Sequence, residues 1–166
     1  MVVSSAIEKM IAFYQGNLHD INHFLKVWAF ARTIGEQEGL DEQTQRTLEL
    51  AAVVHDIACP ACREKYGNAN GKYQELESPP LVEQFFEGMD VERRTAERIS
   101  WLAAHHHTYT NVDGPDYQIL LEADFLVNAG EGRLSRAAIE TMRQDVFRTK
   151  AGVRLLDSVY LKAGDE

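Results

Sequence analysis

The feature that most restricts this chain is a pattern met three times: an apolar stripe at helical spacing that ends on a metal-capable side chain. Leu48, Ala51, Ala52 and His55 stand at i, i+3, i+4 and i+7; so do Ile99, Leu102, Ala103 and His106, and so do Tyr117, Leu120, Leu121 and Asp124. Residues so spaced share one face of an α-helix, so each stripe points into a core and carries a polar group with it. In a fourth segment His23 lies in line with Val27, Phe30 and Ile34, and Asp56 follows His55 directly. One such histidine alone reads as a hydrogen-bonded core residue. Several from separate segments do not, because an apolar interior gives unpaired imidazoles and carboxylates nothing in exchange for lost water. Imidazole and carboxylate together suit a divalent ion, Mn, Fe, Mg, Co, Ni or Zn, with positions left for water.

The rest of the chain predicts an all-α fold. Ser5–Gln15 reads as a short helix capped by its serine and ending near Gly16 and Asn17; a second begins near Asp20 and closes at Gly39; Asp41 caps the third, which Pro60 stops just beyond the His-Asp pair. Pro60 to Ser78 holds two Gly and two Asn without sustained periodicity and reads as a long loop, a kind that is more often functional than idle. Ser78-Pro79 then reads as a cap with proline at the first helical position, ahead of the inward-facing Val82, Phe85, Phe86 and Met89. Thr108 to Pro115 reads as a turn, and Gly130 and Gly132 as a break. Ile139, Met142 and Val146, then Leu156, Val159 and Tyr160, mark two further helices, and the final AGDE reads as frayed. No stretch alternates as a strand would. The expectation is one domain over residues 1–166, an all-α bundle of about seven or eight helices, with its motif region at 19–128 and C-terminal helices at 134–162.

A chain of 166 residues buries a core without staples, so a metal would serve function rather than folding. Seventeen basic against twenty-six acidic residues leave a net charge of -9, which opposes binding to long nucleic acids or anionic membranes but not to a small nucleotide held by a metal. Neither a signal peptide nor a membrane span is evident, and Cys59 and Cys62 alone do not make a disulfide scaffold, so a cytoplasmic location is expected. The CxxC they form lacks a thioredoxin context and a second CxxC; it reads as incidental or weakly redox-sensitive.

The segments HDINHFLKV, AAVVHDIA and EADFLVN, in that order over Asp20 to Asn128, resemble the HD-domain superfamily of metal-dependent phosphohydrolases. The resemblance implies an all-α fold around a metal shell of His23, His55, Asp56 and Asp124. His19 competes with His23, which is preferred for its place on the stripe with Val27. Some members bind a second metal through extra histidines in the region of HHHT, so His105 and His106 are candidates for it; the alternative is that they bond a phosphate or a water, with His107 nearer solvent. Cys59 stands where many members carry a Lys or an acid. Lys26, one turn from His23, is then the cation expected nearest the metal. The expected activity is metal-activated hydrolysis of a small phosphorylated molecule, plausibly a nucleotide, with one metal or two. Asp56 would bridge metal and nucleophile, and His106 or Lys26 would steady the phosphoryl group. The alternatives are a di-iron oxygenase of the same fold and a non-catalytic metal- or ligand-binding regulatory module.

Overall fold

The computed structural model describes residues 2–162; Met1 and the AGDE end expected to fray lie outside the described residues. These form α1 (Val2–Phe13), α2 (Leu18–Glu38), α3 (Glu42–Val54), α4 (Cys59–Tyr66), α5 (Gly71–Phe86), α6 (Arg93–His105), α7 (Pro115–Glu131), α8 (Arg136–Asp145) and α9 (Lys150–Leu156), which runs into a π-helical turn at Asp157–Leu161. Among the described residues there is no strand, and no helix is long and apolar enough to cross a membrane. The all-α expectation holds.

The helix ends follow the local chemistry. Asn17, read as the end of the first helix, caps α2 by accepting the Asp20 N–H at 3.1 Å, so that α2 starts ahead of Asp20. Gly39 ends α2 with φ 72°, a left-handed residue that glycine adopts without penalty. Asp41 caps α3 by accepting the Thr44 N–H at 3.0 Å. Ser5, read as the cap of the first helix, lies inside α1, which spans Val2–Phe13.

Two helices lack a solvent face over much of their length. Every residue from Thr47 to Val54 in α3 is buried, and every residue from Ile119 to Val127 in α7. Helices α1, α2, α6 and α7 pack around α3, α2 also lies along α7, and α5 covers α6 from outside. The stripe of α3 is thus only the most regular part of an enclosed helix. Its C-terminal end, carrying His55, emerges in the middle of the bundle beside Asp124 of α7.

The long loop expected over Pro60–Ser78 is not there. Only the GNAN stretch at 67–70 is non-helical; Pro60 opens α4 rather than merely ending α3, and Pro79 and Pro80 lie inside α5. Gly and Asn clustered at one point mark a tight turn between two helices, and the flanking residues include good helix formers. The two prolines remove the N–H groups that the Glu75 and Leu76 carbonyls would accept, at two residues that are exposed rather than in the core. Ser78, read as a cap, is a fully buried residue within α5.

In the middle of α7, Glu122 is completely buried and accepts from the Gln118 amide, the Arg148 and Thr149 N–H groups and the Thr149 hydroxyl. It fixes the α8–α9 turn and the start of α9. A Cβ on Gly152 would lie 1.9 Å from its Oε2. Gly152→Ala is expected to destabilise the fold by about 1–3 kcal/mol through this overlap, read as a lowered urea midpoint. An unchanged midpoint would show that the turn relaxes freely.

Candidate metal centre

His55 and His106 reach the centre by the same local device. Each sits at the C-terminal end of its helix, where backbone carbonyls lack donors, and each ring turns back to give its Nδ1–H to the carbonyl three residues earlier: His55 to Ala52 and His106 to Ala103, both at 2.7 Å. A carbonyl only accepts, so these contacts fix a proton on Nδ1 and aim Nε2 inward. His23 stands in the second turn of α2, where the helix uses its own carbonyls. Its Nδ1–H goes instead to Glu131 Oε2 at 2.8 Å.

Three Nε2 atoms and two carboxylates then meet. His23 Nε2 lies 3.2 Å from His55 Nε2, 3.3 Å from Asp56 Oδ2 and 3.3 Å from Asp124 Oδ1. His55 Nε2 lies 3.4 Å from each of the same two oxygens. The other oxygen of Asp56, Oδ1, is 3.2 Å from His106 Nε2. His55, His106, His23 and Asp124 are nearly or wholly inaccessible, whereas the Asp56 side chain keeps 22% of its surface, so the centre opens at Asp56.

Burial alone would hold His23 and His55 neutral. Asp124 and Asp56 outweigh it and push the two pKa values up to about 11 and about 10. Burial would likewise raise the carboxyl groups, but the imidazoles hold both Asp56 and Asp124 well below the usual carboxylate range. Even so, His106 Nε2 and Asp124 Oδ1 are buried without a hydrogen-bond partner. A cation that displaces the His23 and His55 ring protons satisfies these two atoms and the other converging nitrogens and carboxylate oxygens together, and the mixed N/O donor set suits a divalent ion. Two overlapping groups have ligand atoms within 4.8 Å of one another: His23, His55 and Asp124, and His55, Asp56 and His106. The residues present fit a metal.

Other candidates are placed elsewhere. His19 is exposed on the first turn of α2. His105 does not join the cluster: it stacks on Trp101 with ring centroids 4.2 Å apart, and its Nε2 lies 3.8 Å from Glu75. Lys26 lies behind His23, with Nζ 3.0 Å from Glu131 Oε1, because one helical turn from His23 leads to the Nδ1 side of the ring. Of the charged groups in the expected loop, Lys65 pairs with Glu77 and Lys72 lies over the Tyr73 ring. Cys59 and Cys62 are free thiols; burial and the Asp56 carboxylate push the Cys59 thiol up, so it stays protonated and unreactive.

Glu131 is the residue the stripes did not single out, although it stands seven residues after Asp124 and therefore on the same face of α7. Tyr14, whose hydroxyl donates to the Asp56 carbonyl at 2.9 Å, gives no comparable signal in the sequence. Arg63 of α4 holds Asp20 with both terminal nitrogens, at 2.8 and 3.1 Å.

An all-α domain with an inward-facing His/His-Asp/Asp cluster defines a class of helical proteins built for a metal, and the family follows directly. The chain belongs to the HD-domain family, whose model matches residues 20–147. No curated protein shows a significant match to it.

Proposed function

We propose that the protein is a metal-dependent phosphohydrolase acting on a small phosphorylated molecule such as a nucleotide. The observation that carries this is the pair of buried, unpartnered ligand atoms, His106 Nε2 and Asp124 Oδ1, inside a cluster that opens at one carboxylate. A divalent cation bound by His23, His55, Asp56 and Asp124 supplies Lewis acidity, a water of lowered pKa and neutralising charge for phosphoryl oxygens. The Ala52 and Ala103 carbonyls keep the His55 and His106 lone pairs aimed inward throughout. Asp56, the most open member, faces substrate and is placed to accept the proton of an attacking water at Oδ1, beside His106. His106 offers either a ligand for a second ion or a contact to the phosphoryl group. Lys26 is paired with Glu131 on the Nδ1 side of His23 and serves the centre through that acid.

The test is phosphate release from a panel of nucleotides and sugar phosphates, with the protein loaded in turn with Mn, Mg, Co, Ni, Fe and Zn. Turnover with at least one pair, abolished by EDTA, is expected. Tight metal binding without turnover on any compound would favour a binding module, and metal-dependent oxygen uptake without phosphate release would favour the oxygenase. With His105 stacked on Trp101, only His106 of the triple histidine remains as the extra ligand that reading needs.

A further inference from the structure

We infer that Glu131 and Tyr160 are positioning residues of the metal centre, through which the C-terminal π turn sets the orientation of His23. The inference rests on the metal reading above. Within α7 the Leu126 carbonyl would ordinarily accept the Gly130 N–H. Here the Tyr160 hydroxyl also donates to the Leu126 carbonyl and lies against Gly130. That bond ties the last turns of α7 to the π turn that carries Tyr160. Gly130 makes the approach possible, since a Cβ there would stand 2.8 Å from the hydroxyl oxygen.

The next residue is Glu131. Its Oε2 accepts from His23 Nδ1 at 2.8 Å and its Oε1 from Lys26 Nζ at 3.0 Å. Asp124, on the same face of α7, meets the opposite edge of the ring, 3.3 Å from Nε2. One helix therefore brackets His23 on both sides, and the Tyr160 bond holds the turn from which the second jaw projects. His55 and His106 need no such arrangement, because their own helix ends hold them. The carboxylate on a ligating histidine fixes ring and tautomer and strengthens the ligand. Lys26 then serves to hold Glu131.

The experiment is titration calorimetry of the full chain with Mn, comparing the native protein with Glu131→Gln and Tyr160→Phe, and circular dichroism to confirm the fold. Both variants are expected to bind metal more weakly, by about 10–100-fold for Glu131→Gln and towards the lower end of that range for Tyr160→Phe. The accompanying readout is the His23 Nδ1–H proton resonance in metal-free and Zn-loaded protein. It should lie downfield and exchange slowly in the native chain, and shift with faster exchange in both variants, which a merely structural defect elsewhere would not produce. Affinities and resonance within error of the native protein would overturn the inference. Weakening by Glu131→Gln alone would remove Tyr160 and the π turn from it. If the native protein binds no metal while the resonance still moves in both variants, the metal reading fails and the positioning of His23 by Glu131 and Tyr160 stands.

Discussion

Asp56→Ala is expected to lose phosphohydrolase turnover by at least about 10³-fold, the scale on which one member of a catalytic unit fails. Its carboxylate touches all three imidazoles: Oδ2 lies 3.3 Å from His23 and 3.4 Å from His55, and Oδ1 lies 3.2 Å from His106. No other side chain of the cluster joins the two candidate ligand groups in this way and also reaches solvent. Steady-state kinetics beside elemental analysis of the purified variant checks the expectation. Retained metal and activity would sink the proposed centre, whereas retention in His106→Ala would remove only the second ion.

Metal uptake should be strongly coupled to protons. The His23 and His55 pKa values stand at about 11 and about 10 in the metal-free fold, against 6.5 when free, so at neutral pH a cation must displace the protons these rings share with Asp56 and Asp124. Affinity should therefore rise with pH up to about 10. The sign for the metal-free fold is opposite: a raised folded pKa stabilises fully below 6.5, and that contribution declines as pH rises through 10 to 11. The depressed Asp56 and Asp124 stabilise above their ordinary value of 3.8 and cease to do so as acid protonates them. Metal-free protein should thus be most stable between about pH 4 and 6.5, and added Mn should raise the melting temperature increasingly above that window. Thermal melts across pH test this, and calorimetry in buffers of different ionisation heat counts the protons released. No proton release at pH 7 would refute the coupling.

The convergence of His23, His55, Asp56, His106 and Asp124 is legible in the sequence because helical spacing says which residues turn inward, and five polar groups turned inward must meet something. The helix across Gly71–Phe86 is not legible in the same way. Its polar Gln74 and Ser78 are buried and its Leu76 is exposed, which inverts the stripe that periodicity looks for. Glu131 escapes for another reason: an acid just before Gly132 reads as a solvated helix end, and its partner His23 lies 108 residues earlier. Lys26 shows the limit of spacing itself. One turn along α2 does bring it near His23, but periodicity does not say which edge of an imidazole the metal takes.

The two ways of holding a histidine differ in what can change them. His55 and His106 are fastened to the peptide carbonyls of Ala52 and Ala103, which every residue type possesses, so no side-chain replacement at those positions deletes the anchor. His23 is fastened to a side chain, at a helix end where its acid can be exchanged without opening the core. The centre therefore has two fixed coordinates and one adjustable one, and exchange of the acid at position 131 is expected to change how His23 meets an ion while the donors themselves stay as they are.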